Sequence, residues 1–268
     1  MEKQIIGRGL LAGALAGVLA FAVARIFVEP VIERAIGYED GVGAAHEAME
    51  TAAGHGGHEH GVELFTRGVQ ANIGMGFGVL AFSIAMGALF AVVFAVTYGR
   101  FGNVSARVLS LLIAGAMLLS LYVVPALKYP ANPPAVSLDE TIRQRTLLYL
   151  LMVVVSAALL VGAVCLGRQL VARLGAWNAT LVAAGGYVVA MAIVMLVLPT
   201  IDETPGPLRD GAGNIVFGGF PADDLYQFRL YSLAVQVVMW TTIGPVFAAL
   251  ISKVLGGKRS PAEATFST

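Results

Sequence analysis

Residues 70–98 read QANIGMGFGVLAFSIAMGALFAVVFAVTY, twenty-nine positions without a charged side chain. A hydrocarbon core ~30 Å thick needs about 20 helical residues to cross it. Lipid offers no water to an unpaired backbone group, so such a stretch must be a helix. Working outward, comparable blocks run at 5–28, 106–125, 146–166, 178–198 and 228–251. The expected fold is an all-α integral membrane helical bundle with six transmembrane helices, one multi-pass domain over 1–268.

Composition agrees: 57% of residues are hydrophobic and 13% charged, and the mean hydropathy is +0.79. A soluble domain carries roughly 25% charged residues. Lys3 and Arg8 before an apolar run, with Ala20-Phe21-Ala22 after its start, have the look of a cleaved signal peptide. The run continues to Val28, longer than a usual signal core, and reads as a span.

The net charge of zero hides a sorting by side. The N-terminus, the loops near 99–107 and 167–177 and the C-terminal tail hold nine cations, among them Lys3, Arg100, Arg168 and Lys258, against Glu2 and Glu263 alone. The other three loops and their helix ends hold eight cations and fifteen acids. Cytoplasmic loops favour Lys and Arg, so both termini are expected in the cytoplasm and the acidic loops outside it. The lone Cys165 allows no disulfide framework.

All four histidines fall in the first outer loop: His46, then His55, His58 and His60 in the run HGGHEH with Glu59. Imidazole suits zinc, copper, nickel and cobalt and is neutral near pH 7. Glycine-spaced imidazoles can close on one ion, and Glu50, Glu59 and Glu63 draw cations by their field. The rival reading is a polar loop that happens to be rich in histidine. Ligand type does not choose the metal, because the Irving–Williams order favours copper whatever the purpose. The remainder of 29–69 is Gly, Ala and Glu with a short helix expected near Ala44–Thr51, and loop 199–227 reads as turns with a small hairpin around Asp210–Asn214.

Polar residues cluster at the outer helix ends: Arg25 and Glu29, then Arg67, Gln70 and Asn72, then Asp223, Asp224, Arg229, Ser232 and Gln236. Ionisable groups there are costly and are functional candidates by default. Glu29, Gln70, Asn72, Asp223, Asp224 and Gln236 are the expected substrate path, against the plainer reading of interfacial anchors. Three arginines beside them would repel a bare divalent cation. The midplane holds no Asp, Glu, Lys or His, only methionines such as Met191 and Met195. Gly9, Gly13 and Gly17, and Gly74 and Gly78, repeat every four residues, a pattern that lets helices approach closely in lipid. No phosphate-binding, zinc-protease, nucleophile-elbow or redox-cysteine motif occurs, and an enzyme is not expected.

The string Lys128-Tyr129-Pro130-Ala131-Asn132-Pro133-Pro134, within 126–136, resembles a signature of the CbtA family of predicted cobalt transporter subunits. So do Phe220-Pro221-Ala222-Asp223-Asp224 with Phe228-Arg229 and Ser232, and Arg67-x-x-Gln70 before a glycine-rich helix. The resemblance spans nearly the whole chain. It implies a cell-membrane transporter component working with a CbtB-like subunit, small, single-span and His-bearing. By residues alone, the three prolines stiffen the segment while Lys128 and Tyr129 are also plain interfacial anchors.

The expectation is a transition-metal uptake subunit, cobalt by resemblance and otherwise nickel, zinc or copper, with the ion as substrate and no resident cofactor. His46, His55, His58, Glu59 and His60 would collect it. Two other readings stand beside this: a non-transporting scaffold within a larger complex, and arginines that greet an anionic substrate such as a chelated metal. Expected partners are the bilayer and that small subunit, not nucleic acid.

Overall fold

The structure is a computed structural model that describes residues 2–52, 66–100, 104–136 and 139–256. Five helices among these are long and apolar enough to cross a bilayer. They are α1 (Glu2–Ala52), α2 (Arg67–Thr97), α3 (Ala106–Lys128), α4 (Asp139–Val197) and α5 (Ala222–Gly256). The only strands among the described residues are β1 (Leu208–Arg209) and β2 (Ile215–Phe217), an antiparallel pair. The all-α membrane architecture follows, and the small hairpin stands where the turn residues placed it.

Two helices run further than the sequence reading allowed. α1 does not stop at residue 28; after a π-turn at Ala24–Val28 it continues as helix from Glu29 to Ala52. A helix nucleated inside lipid extends without a second nucleation cost, and Ala, Glu and Met favour extension. At about 1.5 Å per residue the extension reaches roughly 35 Å past Glu29. The expected loop at 167–177 is also helical, apart from one break. Gly175 has φ 74° and ψ 164°, a conformation that a Cβ would penalise. A straight helix would place Ser156 and Tyr187 about 46 Å apart, yet their hydroxyls lie 2.7 Å from each other. The chain therefore folds back at Gly175, and α4 is a helical hairpin.

Further π-turns interrupt α2 at Gln70–Gly74 and α3 at Leu119–Val123. Such turns insert one residue into the ladder and are common at functional sites.

The chain divides into two compact units. The first comprises the described residues of 1–25, 67–118 and 234–268. Its seam is a glycine contact: Cβ atoms added to Gly9, Gly13 or Gly17 would meet Gly87, Ser83 or Leu80 of α2. The α2 side of the seam is Ser83, Gly87 and Ala91, all buried, rather than Gly74 and Gly78. Phe247 of α5 packs edge-on against Phe90 and Phe94, with ring centroids 5.0 Å away in each case. Arg8 Nε donates to the Leu250 carbonyl at 3.1 Å, joining α1 to α5.

The second unit comprises the described residues of 26–66 and 119–233. The two arms of α4 bury Met152, Tyr187 and Met191 together with Val124 and Tyr129. A smaller cluster joins Ala35 of α1 to Val136 and Phe220. Tyr38 packs edge-on against Phe217 and Phe220 and donates to the Gly218 carbonyl at 3.1 Å, which fixes the hairpin to the α1 extension. Within the hairpin, Asn214 gives its side-chain and backbone N–H to Asp210, holding that carboxyl below its usual range.

If the glycine seam holds the first unit, Gly87→Leu should lower thermal stability in detergent by several degrees or prevent folding. Gly7→Leu, on the same helix as Gly9 but with nothing within 4 Å, should melt like the parent. Overpacking costs about 1–3 kcal/mol in a close-packed interior. Equal melting of the two variants would remove the seam from the account.

Candidate functional site

The polar centre of the second unit is built on the segment 129–136, between α3 and α4. Its prolines remove backbone donors and fix φ, so neighbouring groups must satisfy its carbonyls. Tyr129 is buried, with its phenol donating to the Pro199 carbonyl at 2.7 Å. Burial pushes its ionisation upward, so it remains a donor. Ala135 has φ 67°, a left-handed conformation that costs a residue with a Cβ roughly 1–2 kcal/mol.

Glu203 meets this segment from the chain that follows α4. Its side chain is 2% exposed. Arg145 Nη1 donates to Oε2 at 2.8 Å, Asn132 Nδ2 donates to Oε2 at 3.1 Å and Thr141 Oγ1 donates to Oε1 at 2.5 Å. Arg145 Nη2 also donates to the Pro130 carbonyl. From α5, Arg229 donates to Asn132 Oδ1 at 3.0 Å and to the Ala131 carbonyl at 3.4 Å. One carboxylate and two guanidiniums thus clamp a strained proline segment. Against this wall lies a cavity of about 290 Å³ lined by Tyr122, Tyr129, Pro130, Arg145 and Tyr149 among others.

A second polar contact lies where α5 begins. Arg34 Nε donates to Asp224 Oδ1 at 2.6 Å, and its Nη2 donates to Gln227 Oε1 at 2.9 Å. Arg34 is almost half exposed, so this pair is worth about 0–1 kcal/mol. In the first unit Arg25 Nε donates to Asn72 Oδ1 at 3.0 Å, a bond between side chains that leave two π-turns.

The expected site residues distribute as follows. His46 is exposed on the α1 extension, while His55, His58, Glu59 and His60 lie outside the described residues. Among the described residues no group of three or more His, Cys, Asp or Glu could hold a metal. Of the expected path, Glu29 is buried and Asp223 exposed in the second unit, beside the paired Asp224. Gln70 and Asn72 are exposed and Gln236 half-buried in the first unit. Glu203, Thr141 and Arg145 were missed by sequence reasoning. Thr141 and Arg145 are four apart and so share a helix face, but nothing marked Glu203 within a turn-rich loop as their partner.

Removing one member of a buried pair costs about 3–5 kcal/mol. Glu203→Ala should therefore melt far below the parent, with Thr141→Val, which forfeits one bond of the clamp, in between. Ala135→Gly should raise stability by about 1 kcal/mol through relief of the left-handed strain. Unchanged melting of Glu203→Ala would show that the clamp contributes nothing.

A family model described as probable cobalt transporter subunit matches residues 2–252, which take in the proline segment, the clamp, four of the long helices whole and α5 up to its last turn. No curated protein and no solved structure matches the chain. With the match covering nearly its whole length, the chain belongs to the CbtA family of probable cobalt transporter subunits.

Proposed function

We propose that this chain is the membrane subunit of a cobalt uptake system, in which the histidine tract outside the cell collects the ion. The helical hairpin at Gly175 divides α4 into two apolar arms, so the five helices make six crossings and both termini face the cytoplasm. The cation-rich segments then lie inside, as the Lys and Arg preference of cytoplasmic loops requires. The single observation that carries the reading is the α1 extension. It continues a membrane helix by 24 residues, has His46 exposed on its flank and ends directly before the segment that holds His55, His58 and His60.

On this reading the histidine tract faces the outside of the cell. The acids of the α1 extension, Glu33, Glu39, Asp40, Glu47 and Glu50, supply a field that concentrates cations there. Glu29, Gln70, Asn72, Asp223, Asp224 and Gln236 would pass the ion inward. On this path Asp224 must release Arg34 before it can accept a cation, and with the Arg34 side chain almost half exposed the pair costs little to open. A small single-span His-bearing subunit of the CbtB type would take part in the handover.

A second reading is favoured by the ion pairs themselves. Arg145–Glu203 and Arg34–Asp224 commit the acids to structure, as a non-transporting scaffold would. Flux of radioactive cobalt into liposomes holding the purified chain alone separates the two, since robust flux excludes a scaffold.

Cells carrying His55→Ala, His58→Ala and His60→Ala together should accumulate cobalt more slowly at limiting concentration, with the difference fading as cobalt rises. Uptake at the parental rate at every concentration would refute collection by these residues.

A further inference from the structure

We propose that the cavity beside Arg145 binds an oxyanion, a phosphate or carboxylate carried on an apolar body. The site goes beyond cobalt collection and stands or falls separately from it. The cavity measures about 290 Å³, close to the lower end of the ~300–1,000 Å³ common for small-molecule sites. Its walls are aromatic and aliphatic, with Tyr122, Tyr149, Ile142 and Leu150 joining Tyr129, Pro130 and Ala131 of the proline segment.

Of the four hydroxyls in the lining, that of Tyr122 bonds with Ser232, and the other three donate to backbone carbonyls. Tyr129 donates to the Pro199 carbonyl at 2.7 Å, Tyr149 to the Leu121 carbonyl at 3.2 Å and Thr146 to the Ile142 carbonyl at 2.8 Å. Arg145 is the charged group in the lining. Its Nη1 and Nη2 go to Glu203 and the Pro130 carbonyl, which leaves Nε with no hydrogen bond among the described residues. A guanidinium presents five donors in a rigid fork and favours phosphate and carboxylate.

Charge counting points the same way. Arg145 and Arg229 are joined through Asn132, and among the described residues Glu203 is the only carboxylate in that network. One positive charge is therefore left over. In the flanking sequence the acids Asp139, Glu140 and Asp202 stand against Lys128 and Arg143, and Glu140 and Asp202 are exposed, where water and salt screen their charge. The Arg145 side chain is only 18% exposed, and excess charge in such a place is unfavourable without a counterion. An anion with a greasy body satisfies both the charge and the aromatic walls. A lipid headgroup and a soluble organic anion share that chemistry.

The test uses the full chain in nanodiscs. One arm places it in pure phosphatidylcholine and titrates phenyl phosphate and phenylacetate by calorimetry. The other mixes phosphatidylglycerol with phosphatidylcholine and reads retained lipid by native mass spectrometry. Binding in the first arm identifies a soluble anion, and retained phosphatidylglycerol identifies a headgroup. In whichever arm binds, Ala126→Phe should weaken binding at least tenfold by filling the cavity without touching the clamp. Arg145→Lys, which keeps the charge and loses the fork, should weaken it about tenfold. Ala126→Leu serves if the larger residue prevents folding. No binding above the phosphatidylcholine control in either arm, or full binding by the folded Ala126 variants, would overturn the proposal.

Discussion

Glu203 is the group on which the second unit depends. Drawing a carboxylate out of water costs several kcal/mol unless its partners are close and its oxygens are satisfied. Arg145, Thr141 and Asn132 do this from two separate pieces of chain. The result ties the link between α3 and α4 to the link between α4 and α5. Tyr129 repeats the tie by donating across to Pro199. The proline segment is therefore held by side chains where its own backbone offers few donors, and the left-handed Ala135 is tolerated inside that frame.

The first unit solves a different problem. Lipid gives helices no hydrophobic reason to associate, so close backbone contact must supply the attraction. The glycine face of α1 against Ser83, Gly87 and Ala91 provides it, and the aromatic contacts of Phe247 bring in α5. π-turns interrupt both α1 and α2, and Arg25 and Asn72 reach each other from two of them.

Much of the fold was legible because bilayer thickness imposes a length on every apolar run. The runs at 70–98 and 228–251 gave their helices directly, and the glycine spacing in α1 named one side of a real seam. The hairpin of α4 was legible as two runs with a charged gap, though the gap proved helical up to Gly175. The helix expected near Ala44–Thr51 is there, but residues 29–43 before it were misread, because a scarcity of large apolar side chains argues against a core and not against a helix already begun. The clamp was half legible: Asn132 and Arg229 stood out within quoted motifs. Glu203 did not, since its role comes from a contact across some sixty residues of chain rather than from local pattern. The histidine tract drew attention by clustering alone, and its chemistry rests on which side of the membrane it occupies.

That sidedness is the central claim, and cysteine labelling tests it most directly. With Cys165→Ala removing the native thiol and Gly57→Cys placing one inside the tract, intact cells are treated with a membrane-impermeant maleimide. The account predicts labelling without permeabilisation. Labelling only after the membrane is opened would put the histidines in the cytoplasm and contradict it.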